Sequence, residues 1–232
     1  MGATTIRRKE DSRARWRALL AEPQPEATAV FWESVRSRHP GFLEAVIADA
    51  RVAAIRLGDR RRFPSRVEAV LHAVRLSIVT DAFLALVCYR AKAACQARRI
   101  PFIPRILHRL AVMIGQVAIG DPVVIQPGVY LPHGQVVIDG IVEVGSDVAL
   151  LPFVTIGLRA GSVEGPTIDR GATIGTGAKV LGPLRIGVGA RVGANAVVVS
   201  DVPDGSTVVG VPARPLRMQQ GDADGQENAN AS

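Results

Sequence analysis

Histidine and cysteine are the side chains here best suited to act on a substrate near neutral pH. The chain has four histidines, His39, His72, His108 and His133, and two cysteines, Cys88 and Cys95. A histidine near neutrality accepts a proton from a hydroxyl and so makes a poor nucleophile competent. His39, His72 and His108 fall in a region with helical spacing, where a lone histidine reads as a structural residue. His133 stands apart, in the run Val129-Tyr130-Leu131-Pro132-His133-Gly134. The cysteines lie seven residues apart in an apolar helical stretch and have no obvious base beside them. They read as reduced core residues rather than a disulfide, a metal pair or a covalent nucleophile. No metal is expected, because a zinc site of three histidines would need more than the one histidine found after residue 115.

The formal net charge is +7, carried mostly by arginine. Much of it sits at Arg7, Arg8, Lys9, Arg13, Arg15 and Arg17 and around residues 56 to 66. No aromatics are interleaved with these charges and no nucleic-acid motif accompanies them, so nucleic acid is not an expected partner. Solvated helix faces explain most of the charge, and a phosphate-bearing ligand is the next candidate. The N-terminus lacks an apolar signal core. The most apolar early stretch, Leu76 to Cys88, is interrupted by Asp81 and is too short to span a bilayer. A cytoplasmic protein without a membrane span is expected.

Two kinds of element must position these residues. Up to about residue 115, apolar residues recur at three- and four-residue spacing, which predicts helices over 13–20, 27–36, 41–56, from 65 onward, 79–98 and 105–115. Val67, Val70, Leu71 and Val74 fall on one stripe. Prolines at 23, 25, 40, 64, 101 and 104 punctuate the run.

From Ile119 the texture changes to Gly, Val and Ile. Aliphatic residues recur every sixth position at Ile119, Ile125, Leu131 and Val137, and the phase slips by one near 138–143. It resumes at Val144, Leu150 and Ile156, and continues after a break at Ile168, Ile174, Val180, Ile186, Val192 and Val198. The fifth residue of most units is small or apolar, as at Val148, Val154, Ala172, Ala178, Ala190 and Ala196. Helices repeat at 3.6 and flat strands at two, whereas six residues make one short strand plus a turn. Three such units close a triangular coil, and stacked coils bury a continuous aliphatic column that no single coil can bury alone. The fold class is therefore α+β, a helical region followed by a parallel β-helix. The expected divisions are 1–115 helical, 116–217 β-helix and 218–232 a disordered tail without apolar content. Leu158–Thr167, polar and Gly-rich, reads as a loop extruded from the coils.

The repeats IGTGAK, IGVGAR and VGANAV resemble the hexapeptide-repeat acyltransferases. The run from Ile174 to Arg214 and the upstream FLALVCYR (83–90) are similar to the serine O-acetyltransferase branch, and the likeness covers roughly 75–217. It implies a left-handed coil sense, acetyl-CoA as donor in a groove between subunits, and a homotrimer or dimer of trimers. It implies direct transfer of acetyl to a small hydroxyl acceptor, with His133 as the general base. For the donor it implies Gly157, Thr176 and Ala194 along the groove, where backbone amides meet the pantetheine arm. Arg191 and Arg214 would meet the CoA phosphates, since arginine binds phosphate with two parallel bonds.

The acceptor residues of that branch are not kept. Pro132 stands where an Asp precedes the catalytic histidine, Glu164-Gly165-Pro166 stands where an Arg-His-Pro run follows the loop, and Ala118 stands where a carboxylate orients the base. Asp121, Asp139 or Glu143 are the candidate substitutes. Cofactor groove and coil match while the acceptor pocket differs, so L-serine and a sugar hydroxyl both stand as acceptors, and a non-catalytic repeat scaffold is the reading from another class.

Overall fold

The computed structural model describes residues 25–58 and 65–216. The helix expected over 13–20 and the tail from 218 lie outside the described residues. Among the described residues five helices come first: α1 (Pro25–Arg38), α2 (Phe42–Arg56), α3 (Arg66–Val79), α4 (Asp81–Ala97) and α5 (Ile103–Gly115). Ser65 caps α3 by accepting from the Glu68 amide at 3.1 Å, as a Ser-x-x-Glu start dictates. Extended Thr80 separates α3 from α4, so the long helix expected over 79–98 begins two residues later. Pro104 falls in the first turn of α5, where its missing N–H costs nothing. No single described helix is long and apolar enough to cross a membrane.

α4 is the central helix, with Ala82, Phe83, Ala85, Leu86, Tyr89 and Ala93 all buried. α3 behaves differently from the simple reading of its pattern. It buries Ala69, Ala73 and Leu76, while Val67, Leu71 and Val74 of the apolar stripe face outward.

From Val117 the chain winds into triangular coils. One sheet runs β1 (Val117–Ile119), β3 (Val136–Ile138), β6 (Thr155–Gly157), β9 (Lys179–Leu181) and β12 (Val197–Val198). A second runs β2 (Val124–Ile125), β4 (Ile141–Val144), β7 (Glu164–Ile168) and β10 (Arg185–Ile186). The third runs β5 (Ala149–Leu150), β8 (Thr173–Ile174), β11 (Arg191–Val192), β13 (Thr207–Val209) and β14 (Arg214–Pro215). Every pairing is parallel except β13 with β14, which folds back and closes the far end.

The inward column is Ile119, Ile125, Leu131, Ile138, Val144, Leu150, Ile156, Ile168, Ile174, Val180, Ile186, Val192 and Val198, all buried. Val137 is not in it. Val136 and Ile138 point inward and Val137 is 43 % exposed, because neighbours on a strand face opposite sides. The one-residue slip therefore falls between Leu131 and Val136, at the corner that carries His133, and not at 138–143. The extruded loop is also shorter than expected. It spans 158–163, because Glu164–Ile168 pairs with β4.

The first coil has no coil before it, so the carbonyls on its outer edge need other donors. α4 supplies them. Tyr89 Oη donates to Val123 O at 2.9 Å, Arg90 donates to Ile125 O and to Gln126 O, and Lys92 Nζ donates to Ile119 O at 2.7 Å and Gly120 O at 3.2 Å. Arginine and lysine end up almost fully buried here because their stems pack in the core while their heads meet carbonyl oxygens.

Candidate active site

His133 sits at the overlong corner between Leu131 and Val136, with its side chain exposed. Three sets of hydrogen bonds pin this corner. The Gln135 and Val136 amides donate to the carbonyls of Gly115 and Gln116, both at 3.2 Å, tying it to the end of α5. The Tyr130 amide donates to Val148 O at 2.9 Å on the next coil. Before the corner, Asp49 Oδ1 of α2 accepts the Gly128 and Val129 amides at 2.8 and 2.9 Å. Position 134 must be glycine, since a Cβ there would lie 1.6 Å from the Gly115 carbonyl oxygen.

Asp49 is itself held by Arg90, with Nε to Oδ2 at 2.9 Å and Nη2 to Oδ1 at 3.1 Å. Burial raises the Asp49 carboxyl above the usual carboxylate range, and Arg90 and the two amides oppose that shift. Burial likewise lowers the Lys92 ammonium, which Asp121 at 3.0 Å partly offsets.

The corner opens on a cavity of about 370 Å³ between the helices and the first coil. Its walls are largely aliphatic and aromatic, with Leu57, Leu76, Val79, Phe83 and Leu131 among them. Four polar residues line it as well: His133, Tyr130, Thr80 and Asp81. A mostly apolar cleft with a few converging polar groups is the usual form of a small-molecule site.

Asp81 is the one acidic residue lining the cavity, and the sequence alone gave it no role. Of the candidates at Asp121, Asp139 and Glu143, none lines the cavity. Asp121 pairs with Lys92, Glu143 pairs with Arg38, and Asp139 lies against Gly120. The available signal was the single charge interrupting the apolar run from Leu76 to Cys88. It marks the N-terminus of α4, which lines the same cavity as His133.

The other expected site residues are spread along the prism. Thr176 and Ala194 occupy the same corner as His133, two and three coils further on, and the Asn195 amide donates to Thr176 O at 2.8 Å. Gly157 ends β6 at the opposite edge of that sheet, where the extruded loop departs, and its carbonyl accepts from the Gly182 amide at 2.9 Å. Arg191 lies exposed on β11 and Arg214 on β14, both in the third sheet. One chain thus brings His133, Thr176 and Ala194 onto one edge, with Gly157 on another edge and the two arginines on the third sheet. The loop is seated on glycines. Leu158 fills the space over Gly140, and Arg159 packs on Gly182. Among the described residues no three His, Cys, Asp or Glu side chains gather to hold a metal ion.

No family model matches the chain. Individual proteins do. Serine acetyltransferase of Helicobacter pylori is 43 % identical over 136 residues, 57 % of this chain and 79 % of that protein. Serine acetyltransferase of Synechococcus elongatus is 35 % identical over 160 residues, 67 % of this chain and 65 % of that protein. The structure is similar to that of soybean serine acetyltransferase complexed with serine (TM-score 0.62, 31 % identity, 78 % of this chain and 71 % of that one). It is also similar to serine acetyltransferase of Neisseria gonorrhoeae in complex with serine (TM-score 0.63, 28 % identity, 84 % and 78 %). With the helical region leading into a left-handed β-helix of six-residue units, this chain belongs to the serine acetyltransferase family of hexapeptide-repeat acyltransferases.

Proposed function

We propose that the protein transfers the acetyl group of acetyl-CoA to the hydroxyl of L-serine, with His133 as the general base. The carrying observation is the placement of His133 on the lining of a cavity between the helices and the first coil, on a corner fixed by Asp49, Gly115 and the second coil. In this reading the imidazole takes the proton of the acceptor hydroxyl as its oxygen attacks the thioester carbonyl. The tetrahedral intermediate then collapses with loss of the CoA thiolate, which receives that proton back from the imidazolium. Neither thiol lines the His133 cavity. Cys88 is buried, and burial raises its pKa, so it is a poor nucleophile.

Asp81 is the charged cavity group suited to the ammonium of an amino-acid acceptor. Gly157, Thr176 and Ala194 present backbone along the coils to the donor's pantetheine arm, and Arg191 and Arg214 meet its phosphates. Gly157 lies on a different edge from Thr176 and Ala194, which favours a groove completed by a second copy, in a homotrimer or dimer of trimers. The working division is a helical unit to residue 115, a β-helix unit over 116–217 and a tail from 218. A cytoplasmic location follows from the donor. A sugar acceptor is the second reading. It is favoured by Pro132 and Gly165, which stand where the family holds the amino acid. CoA release from acetyl-CoA, with L-serine and separately with sugars and nucleotide sugars, decides between them. Turnover with a sugar but not with serine overturns the serine assignment while keeping the chemistry.

A further inference from the structure

Two cavities outside the His133 site share one residue, Asp121. The first, of about 330 Å³, lies between α5 and the corner after β1. Arg105, His108 and Arg109 line it, together with Gly120 and Asp121. Spacing of three and four residues sets the first three side chains on one face of α5. Among the described residues neither Arg105 nor Arg109 has a hydrogen-bond or ion-pair partner. Asp121 does not neutralise them, since Lys92 Nζ holds its Oδ1 at 3.0 Å. The second cavity, of about 340 Å³, has Trp32 of α1, Gln96 of α4 and Arg99 among its other walls. Phe31 meets the Trp32 ring edge-on, with centroids 5.2 Å apart. The cations of this second cavity are matched, because Glu33 pairs with Arg36 at 2.7 Å and with Arg99 at 3.2 Å. None of these residues lines the His133 cavity.

We propose that the two cavities together bind a nucleoside phosphate, at a site separate from those of the donor and the acceptor. Two arginines without counter-charges beside a histidine select phosphate, to which arginine donates paired hydrogen bonds. Half-buried Trp32 beside the Gln96 amide suits a heterocyclic base, because any base stacks on an aromatic face. Asp121, common to both cavities, falls where a sugar joins base to phosphate. Its side chain stays 58 % exposed beside Lys92 and can accept from ribose hydroxyls. A bare inorganic anion would leave Trp32 unused, and an apolar ligand would leave both arginine charges unmatched. The donor's own nucleotide end does not account for the site. In the proposed reading its phosphates meet Arg191 and Arg214 on the third sheet, whereas these cavities lie at the helices and the first coil.

The test is calorimetric titration of the full-length protein with ADP, inorganic phosphate and adenosine, each with and without saturating CoA. ADP is expected to bind at least ~tenfold more tightly than phosphate, the gain from base stacking, and to bind equally well when CoA fills the donor groove. The double change Arg105→Ala/Arg109→Ala is expected to weaken ADP by about 10–100-fold, through loss of charge-assisted hydrogen bonds. Both arginines are exposed, so the packing of α5 is retained, and circular dichroism checks it. Trp32→Ala is expected to weaken ADP by about tenfold while its affinity for phosphate stays at the wild-type value. Neither variant is expected to change the KM for acetyl-CoA. Wild-type protein that binds none of the probes, or binds ADP no more tightly than phosphate, overturns the proposal. ADP bound only in the absence of CoA also overturns it, because that ADP occupies the donor groove. An ADP affinity unmoved by the arginine changes overturns the location.

Discussion

Arg90 of α4 grips Asp49 of α2 through two hydrogen bonds in a fully buried ion pair, and the same carboxylate holds the Gly128 and Val129 amides ahead of His133. The pair joins the helical region to the first coil, so Asp49 acts on His133 through the backbone as a positioning residue. Removing one partner strands the other charge in the interior, at a cost of about 3–5 kcal/mol. Asp49→Ala is expected to lose that much stability in urea denaturation. Asp49→Asn, which keeps the shape and an acceptor oxygen, is expected to lose less and to lower kcat without changing the KM for acetyl-CoA.

Gly134 has no room for a side chain beneath the α5 terminus. Gly134→Ala is expected to displace the corner or the end of α5, with about 1–3 kcal/mol of destabilisation from overpacking. Activity is expected to fall by more than the loss of folded protein explains. Thermal unfolding and steady-state kinetics on the same sample check this.

His39 gives the fold a pH dependence. Its ring meets Tyr89 edge-on at 6.3 Å, and its Nδ1 is buried with no hydrogen-bond partner among the described residues. Burial, then the charges of Arg90, Lys92 and Arg38, lower its pKa to about 4 from 6.5. Between those values the unfolded chain binds a proton that the folded chain refuses. Stability is therefore complete above pH 6.5 and declines as the pH falls toward 4. The loss is about 1–3 kcal/mol once partial solvent screening is allowed for. Urea midpoints measured from pH 7.5 to 4.5 are expected to fall for wild type, and to fall less for His39→Gln.

The repeat made the β-helix legible, because a period of six with an inward aliphatic in each unit has few other solutions. What it concealed was local. Val137 is as aliphatic as Ile138, so the pattern alone did not show which of the two turns inward, and the extra residue at the His133 corner was placed too late. The stripe on α3 was visible as a stripe, but a helical wheel does not say which side meets the core. Ala69 and Ala73 win the inner face because their small side chains let α3 approach its neighbours closely. Asp81 could not be assigned from sequence, since 52 residues separate it from His133 and only the fold brings both to one cavity.

Under the proposed serine reading, Asp81 of the cavity lining meets the acceptor's ammonium group. Asp81→Asn is expected to raise the KM for L-serine about tenfold, equivalent to about 1.4 kcal/mol, while the KM for acetyl-CoA stays near wild type. Equal changes in both would assign Asp81 to the start of α4 rather than to the acceptor.

The measurement that bears most directly on the central claim is CoA release from acetyl-CoA in the presence of L-serine, compared between wild type and His133→Ala. With His133 as the base, the variant keeps its fold and assembly and loses activity by about 10²–10⁴-fold. A folded His133→Ala protein that turns over as fast as wild type would contradict the account.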